Sequence, residues 1–594
     1  MQSLHQIVHT GRAWVKLIKK KFFARGSEFA LLGCSILAGI AAGCAVSAMS
    51  WISKTLHSKV FQISGDEMLS SARIENVLLV LIGPVIGGVL LGLFYLLLRK
   101  RRNRPIVDPI EANALYGGRL SLTDSVIVVV QNLLSNGFGA SVGLEAGYTQ
   151  ISSGIASKIG SKVGLRREDM RILVGCGAAG AIAAAFNAPF TGAFYAFELI
   201  IGTYSTVALA PVVIAALLGN LVARGLSGDV FLIEVGPVGE IVPSDYLPAI
   251  LLGAVCAGVG ILIMMGVAAT EQLARRSAIP PAVKPAIGGI AVGLLATISP
   301  QVLSAGHGAL HLNLETSVAL PGLALLLLLK SFASAISIGS GFRGGLFFAS
   351  LFMGALVGKI FSFPASVLFF SPLAPTVFAV VGMSCLATAM IGGPLTMTFL
   401  ALEITGDFAI TALVMAAVIS SSLVVRTTFG YSFATWRFHL RGESIRSAHD
   451  VGWIRNLTVD KLMRTDMRKA NAGMTLAEFR EAFPLGSTQK VVIVDDDDRY
   501  VGMVPVPEVY SDVLAEGEEP SLDKYIDLRN DFLQPKMNAR QAAGTFDRAR
   551  AEVLAVVNNL IERRVIGQLS ESHTLRRYTE ELDRRRREVV GETL

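Results

Sequence analysis

A single carboxylate stands between glycines at residues 143–147, which read Gly-Leu-Glu-Ala-Gly. The chain around it has 594 residues, of which 52% are hydrophobic and only 17% are charged, a composition typical of a membrane protein with several spans. Because ionisable groups inside a bilayer are rare and costly, Glu145 is a candidate functional residue. Glycines let an ion approach backbone N–H groups closely, which suits anions. We therefore expect the Glu145 carboxylate to compete with a permeating anion for one binding place.

The segments that must position Glu145 are apolar but uneven in length. Several are shorter than the about 20 residues that a full span needs, and others hold two helices broken near a proline. Broken helices are tolerated at membrane depth only where they are buried or line a cavity, so they favour a permease over a bundle of simple anchors. The apolar runs are 28–51, 76–98, 123–139, 171–203, 206–225, 246–270, 286–298, 318–338, 345–362, 374–403 and 409–425.

An internal repeat links two of these runs. Residues 189–198 and 394–403 share Pro, Thr, Phe, Ala and Glu at identical spacing, ending on Glu198 and Glu403. A glycine-rich break precedes each copy, at 137–147 and at 339–345. Duplicated halves with matching breaks are typical of secondary transporters, whose binding site lies where the breaks converge. We therefore predict an all-α polytopic membrane protein with an inverted repeat and broken helices.

The composition predicts three regions. A basic segment, 1–27, precedes the membrane part at 28–440, and a mixed, charged stretch follows at 441–594, long enough for one soluble α+β domain. Lys and Arg cluster near 16–25, at 99–104 and from Arg426 onward, so both ends are expected in the cytoplasm and the spans in the plasma (inner) membrane. The net charge of +7 needs no nucleic acid to explain it.

The membrane part resembles the CLC family of chloride channels and proton-coupled chloride transporters over roughly 28–440. Four motifs match in order. They are Ala-Ala-Ala-Phe-Asn-Ala-Pro at 183–189, Ser-Ile-Gly-Ser-Gly at 337–341 followed by Gly-Gly-Leu-Phe at 344–347, the half-repeat from Gly382 to Glu403, and Gly-Leu-Glu-Ala-Gly at 143–147, where the family has its gating motif GREGP.

The resemblance implies a chloride permease in which Glu145 is the gating glutamate. Its carboxylate would fill an anion site when ionised and swing aside when protonated, and the hydroxyl of Tyr431 would donate to the bound anion. An interfacial belt position is the alternative for Tyr431. The family usually forms homodimers. The implied anion-binding amides, at the starts of two broken helices, are those of Gly143, Leu144, Ala146, Gly147, Gly345, Leu346, Phe347 and Phe348.

Three departures from the family pattern concern the inner half of the path. The family's GSGIP serine should fall near 103–107, where this chain has none. Leu144 and Gly147 replace the arginine and proline of GREGP, which favours a looser loop. Leu199 stands where transporters of the family often carry a proton-relay glutamate, and an apolar side chain cannot relay protons. Proton coupling would then need Glu198, water or another route, although the equivalent repeat positions of Glu198 and Glu403 favour a structural, hydrogen-bonded role for both.

Two arginines each have two interpretations. Arg104 either adds charge at the inner anion site or marks the cytoplasmic side. Arg343, directly before Gly344-Gly345, either raises the potential along the anion path or belongs to a loop outside the membrane.

The soluble tail resembles a pair of CBS modules, at about 457–515 and 524–580. Each is predicted to contain a helix, a strand (beginning at Val491 or Val553), a second strand near a glycine and a further helix. The residues expected to contact ribose and phosphate read Pro505 and Glu508, then Ser570 and His573. We therefore expect a packing or dimer role, with an adenine nucleotide as the less favoured alternative and no other cofactor.

Three further functions compete with a proton-exchanging permease. One is a passive chloride channel, which Leu199 favours. Another is a membrane-anchored sensor of nucleotide or ionic strength, which the altered nucleotide contacts weaken. The last is an intramembrane enzyme. His307 and His311 are spaced as metal ligands, but they lack the glutamate of a His-Glu-x-x-His pattern. We expect these histidines in a surface loop, with no metal site and no enzymatic activity.

Overall fold

The computed structural model describes residues 28–64, 67–99, 106–228, 241–316, 318–369, 373–430, 432–433, 435–436, 457–511 and 521–590. The chain divides into two compact units, Met1–Asp450 and Val451–Leu594. Both this division and the predicted boundary at 441 fall outside the described residues.

The first half of the membrane unit is helical from residue 28. Its helices are α1 Glu28–Phe61, α2 Val77–Arg99, α3 Pro109–Tyr116, α4 Leu122–Gly137, α5 Glu145–Val163, α6 Arg167–Phe186, α7 Pro189–Tyr195 and α8 Thr206–Ser227. One π-helical turn, Ala196–Ile201, continues α7.

The second half repeats this pattern of long and short helices. Its helices are α9 Tyr246–Arg276, α10 Lys284–Ile298, α11 His307–Glu315, α12 Leu320–Ser340, α13 Phe347–Leu368, α14 Pro375–Ile391, α15 Pro394–Thr405 and α16 Phe408–Thr428. Among the described residues, eight helices are long and apolar enough to cross a membrane. The all-α polytopic fold is confirmed.

The predicted breaks lie where the sequence placed them. The run 171–203 splits into α6 and α7, and the run 374–403 into α14 and α15. Pro189 and Pro394 each begin the second helix of a pair, a position that needs no backbone N–H donor.

Close helix packing in the membrane unit depends on small residues. A Cβ on Gly358 of α13 would lie 1.9 Å from the Phe378 carbonyl oxygen of α14, and one on Gly382 would lie 2.4 Å from the Gly354 oxygen. Helices in lipid associate through such close backbone contact rather than through a hydrophobic driving force. A side chain at either glycine would push the two helices apart.

A buried lysine caps the C-terminal end of α11. Lys359 is 8% exposed, and its ammonium group donates to the carbonyl oxygens of Asn313, Leu314 and Thr316 at the end of that helix. The last carbonyls of a helix lack partners and carry partial negative charge, so a lysine is favourable there. Lys359 therefore has a structural role.

The tail unit is α+β, and its predicted strands are present. In its first half β1 Lys469–Asn471 pairs parallel with β2 Lys490–Val494, which pairs antiparallel with β3 Tyr500–Pro505. In its second half β4 Val553–Val557 pairs antiparallel with β5 Val565–Ser570. The tail helices are α17 Val459–Leu462, α18 Leu476–Ala482, α19 Val506–Ser511, α20 Ala539–Ala549 and α21 Glu571–Val590.

A capping box fixes the start of α18. The Thr475 hydroxyl accepts from the Glu478 N–H, and the Glu478 carboxylate accepts from the Thr475 N–H at 2.9 Å. These hydrogen bonds from Thr475 lower the pKa of the exposed Glu478 carboxyl below its ordinary value.

Candidate functional site

The two glycine-rich breaks meet backbone to backbone. The Gly143 N–H donates to the Gly345 oxygen at 2.9 Å, and the Gly345 N–H donates to the Gly143 oxygen at 3.1 Å. This antiparallel bridge holds the starts of α5 and α13 side by side, so the convergence that the repeat predicted is observed.

Glu145 is the first residue of α5 and reaches across to the other repeat. It is 5% exposed, and its Oε1 accepts from the Phe348 N–H of α13 at 3.2 Å. Oε2 has no hydrogen-bond partner among the described residues. A Cβ on Gly143 would lie 1.9 Å from Oε2, and one on Gly345 would lie 3.0 Å from it. The carboxylate therefore fills a space that exists because residues 143 and 345 are glycines.

The predicted anion-binding amides divide into two groups. Gly143 and Gly345 donate to each other, and the Gly147 N–H donates to the Asn132 side chain at 3.0 Å. The remaining N–H groups lie at helix starts, where an α-helix offers no internal acceptor. They belong to Leu144, Ala146, Leu346, Phe347 and Phe348.

Asparagines of α4, which the sequence analysis did not single out, hold this loop. The Asn132 amide group donates to the Gly143 oxygen at 2.9 Å and to the Arg343 oxygen at 3.0 Å. One turn later Asn136 donates to the Val142 oxygen at 2.7 Å. Two asparagines four residues apart in an apolar helix share one face, and this spacing was the signal available in the sequence.

A buried ammonium group acts on the carboxylate from α12. Lys330 is fully buried and donates to the carbonyl oxygens of Val302 (3.0 Å) and Ser304 (2.8 Å). Its charge interacts electrostatically with Glu145. The site therefore combines a helix-start amide with a fixed positive charge, and both favour an anion.

Aromatic rings support the amide donor itself. The Phe348 ring stacks on His307 with a centroid distance of 3.5 Å and on Phe186 at 6.0 Å. The expectation of a surface loop for His307 and His311 is wrong, because both lie on α11. The chain order could not show this packing, since His307 meets a residue of α13.

The remaining predicted residues are only partly described. The Arg343 N–H donates to the Ser135 hydroxyl at 2.9 Å, and its side chain lines a cavity that also touches Ala146. Both interpretations of Arg343 stay predictions. Tyr431 and Arg104 lie outside the described residues.

Glu198 is held by the start of α15. Its carboxylate accepts from the N–H groups of Leu395 (3.0 Å) and Thr396 (2.9 Å) and from the Thr396 hydroxyl at 2.6 Å. These bonds match the structural role inferred from the repeat. The proton role of Glu198 stays a prediction, and this hydrogen bonding does not favour it.

Glu403 makes the reciprocal contact with α7. Its two oxygens accept from the N–H groups of Phe190 and Thr191, each at 2.8 Å, and from the Thr191 hydroxyl at 2.7 Å. Beside them the rings of Phe194 and Phe399 stack with a centroid distance of 4.2 Å. Each repeat thus caps a helix of the other.

With this geometry in place, comparison with known proteins identifies the family. The sequence profile described as voltage gated chloride channel matches residues 87–426. The chain belongs to this family. Its sequence relatives carry the names of chloride channel proteins.

Relatives of this CLC chain occur in bacteria and plants. A putative chloride channel protein, ClcB-like, of Ralstonia nicotianae is 29% identical over 355 residues, which cover 59% of this chain and 82% of the relative. The chloride channel protein CLC-f of Arabidopsis thaliana is 26% identical over 542 residues, 80% of this chain and 68% of the relative.

Solved CLC structures share the fold. A slow cyanobacterial Cl⁻/H⁺ antiporter superposes with a TM-score of 0.60 at 21% identity, covering 69% of this chain and 97% of the antiporter. A eukaryotic CLC transporter superposes with a TM-score of 0.59 at 17% identity, covering 91% of this chain and 97% of the transporter.

Proposed function

We propose that this CLC chain is a chloride permease whose path runs between the starts of α5 and α13 and is closed by the Glu145 carboxylate. The observation that carries the proposal is the contact between Glu145 Oε1 and the Phe348 N–H. A carboxylate and a chloride ion are interchangeable partners for an amide at a helix start. Whichever anion holds that amide excludes the other.

Protonation is the step that opens the path. A neutral carboxyl group loses its attraction to the helix-start amides and to the Lys330 charge, so chloride takes its place. Because Glu145 Oε2 lies against glycines and accepts from no side-chain donor among the described residues, the side chain can leave without breaking a second hydrogen bond at that oxygen.

A passive channel is the second candidate. Leu199 carries no titratable group at the position where related transporters have a proton-relay glutamate. Proton movement separates the two candidates, since a channel carries chloride without driving protons against their gradient.

The proposal extends to the setting of the protein. Arg275 and Arg276 lie in the last turn of α9, and such basic residues favour the cytoplasmic side for that end of the helix. We place both chain ends on that side, in the plasma (inner) membrane, and we propose a homodimer with one path per subunit, as is usual in the family.

Chloride efflux from liposomes tests the gate. Glu145→Gln keeps the shape of the side chain but cannot ionise, so we expect efflux that no longer changes between acidic and neutral pH. The wild type should release chloride faster at acidic pH. Glu315→Gln, at the exposed end of α11, is the matched control and should keep the wild-type pH profile.

An unchanged pH profile in Glu145→Gln would contradict the gating role. Absence of anion efflux from the wild type at every pH would contradict the permease itself.

A further inference from the structure

A cavity of about 290 Å³ lies beside the start of α5. Its walls include Ala146 and Thr149 of α5, Tyr195 of α7, and Asp108 at the start of α3. This volume holds several water molecules, each of which occupies about 30 Å³ in the liquid. The cavity therefore offers a wet route to the helix turn that carries Glu145.

The cavity lies on the basic side of the membrane unit. Glu271 of α9 also lines it, one turn before Arg275 and Arg276. By the excess of positive charge on cytoplasmic segments, this side faces the cytoplasm. The cavity is thus positioned to exchange protons with cytoplasmic water.

Three charged side chains line the cavity within the part of the chain that the structure describes: Asp108, Glu271 and Arg343. Glu271 lies 4.0 Å from the guanidinium group of Arg275. The side chains of Tyr95 and Tyr195 complete the titratable lining. With two carboxylates and one arginine, the cavity favours a proton over a second anion.

Asp108 occupies a distinctive place in the chain. It directly follows the segment 103–107, where the family's inner serine is absent. Its Oδ1 caps α3 by accepting from the Glu111 N–H at 2.8 Å, and the side chain is partly exposed to the cavity. A helix start stabilises the ionised carboxylate, and its place in the cavity lining brings it within reach of water.

Tyr195 connects this carboxylate to the gate. Its hydroxyl lies against the Thr149 side chain, and Tyr195, Thr149 and Asp108 all line the cavity. The Thr149 hydroxyl in turn donates to the Glu145 carbonyl oxygen at 2.9 Å. Asp108 therefore shares one cavity with polar side chains that reach the first turn of α5.

We propose that Asp108 is the inner proton-carrying carboxylate, in place of the glutamate that Leu199 replaces, and that the chain exchanges chloride for protons. This inference rests on the proposed permease function. A proton from cytoplasmic water binds Asp108 and passes through water in the cavity to the first turn of α5, where Ala146 and Thr149 line it. There it binds Glu145, and it leaves on the opposite side when Glu145 swings out. Only O–H bonds form and break, and both carboxylates end ionised as they began.

Purified full-length protein in liposomes under a chloride gradient tests the proposal. The wild type should move protons against their gradient. Asp108→Asn keeps the helix cap, because asparagine caps as well as aspartate, but it cannot carry a proton. We expect chloride flux to remain and the rate of proton movement to fall by about a hundredfold, the lower end of what a positioned proton-transfer group contributes.

Matched variants make the result specific. Glu111→Gln, in the first turn of the same helix, should move protons as the wild type does. Asp108→Ser also caps helices and lacks a carboxyl group, so it should repeat the result if Asp108→Asn fails to fold. Asp108→Glu should retain proton movement.

Three outcomes would overturn the inference. One is full proton movement in Asp108→Asn or Asp108→Ser, and another is loss of proton movement in Glu271→Gln while both Asp108 variants retain it. The third is wild-type chloride flux without uphill proton movement, which leaves the permease standing as a channel. Absence of wild-type chloride flux would contradict the proposed function and the inference together.

Discussion

The Glu145 carboxylate occupies space that is open because Gly143 and Gly345 have no side chains. Oε2 lies where a side chain at residue 143 would begin, 1.9 Å from the ideal Cβ position. The close contact is with a side chain that can rotate, not with backbone. A methyl group at 143 therefore displaces the carboxylate without parting α5 from α13.

Gly143→Ala should mimic loss of the gate while Glu145 is still present. We expect chloride efflux at neutral pH to rise toward the acidic rate, because the displaced carboxylate no longer reaches the Phe348 N–H. Liposome efflux at the two pH values measures this change.

Gly33→Ala is the control for that substitution. Nothing lies within 4 Å of a Cβ at Gly33, which is in the second turn of α1. It should leave the pH profile of efflux intact. A wild-type profile in Gly143→Ala would mean that the carboxylate position described here is not the closed gate.

At the scale of single residues, the sequence predicted Glu145 and its flanking glycines but not the residues that hold them in place. Glu145 was visible because a carboxylate in an apolar run is unusual. Asn132 and Lys330 were not recognised as supports, because their partners lie in segments far along the chain: Asn132 bonds Arg343 across 211 residues. Spacing in the sequence carries no record of such contacts.

Among the elements, the short helices α7 and α15 depend on each other. Each begins with a proline and has no side-chain cap of its own. Glu403 supplies the acceptor for α7, and Glu198 supplies it for α15. The two carboxylates therefore connect the repeats through contacts separate from the Gly143–Gly345 bridge.

Glu403→Ala should destabilise the membrane unit. It leaves two N–H groups and the Thr191 hydroxyl without their acceptor, and each buried donor left unsatisfied costs about 1–3 kcal/mol. We expect a lower thermal unfolding midpoint of the detergent-purified protein, with Glu315→Ala unchanged. Equal midpoints for Glu403→Ala and the wild type would show that the cross-repeat cap contributes no stability.

The elements themselves were largely predictable. Prolines at 189 and 394 marked the second helix of each broken pair, because proline favours the first helical position. The π-helical turn Ala196–Ile201, which carries Glu198, was not predictable from the sequence. The spacing of hydrophobic residues along the sequence does not specify a local change from α-helical to π-helical winding.

On the scale of the whole molecule, the tail unit has hydrophobic cores of its own, and its residues bear on whether it binds a nucleotide. Pro505 ends β3 and offers no N–H to a phosphate, and Glu508 adds negative charge in α19. Burial and the neighbouring Arg576, Arg464 and Arg577 lower the pKa of His573, so its ring is neutral at neutral pH. These residues favour a packing role over nucleotide binding.

Adding ATP or AMP to the full-length protein should therefore leave its unfolding midpoint unchanged. A nucleotide that bound only the native state would add about 2.7 kcal/mol at a hundred times its Kd. A concentration-dependent rise in the midpoint would contradict the expectation. If Arg576→Gln removed that rise, the nucleotide would belong to the second module.

The reciprocal capping of α7 by Glu403 and of α15 by Glu198 also constrains how the protein is made. Thr191 leaves the ribosome 212 residues before Glu403, its partner. Until then the two N–H groups at the start of α7 lack this acceptor, and an unsatisfied backbone donor within a membrane is costly. We therefore expect the first repeat to become stable in the membrane only after the second repeat has supplied the Glu403 carboxylate.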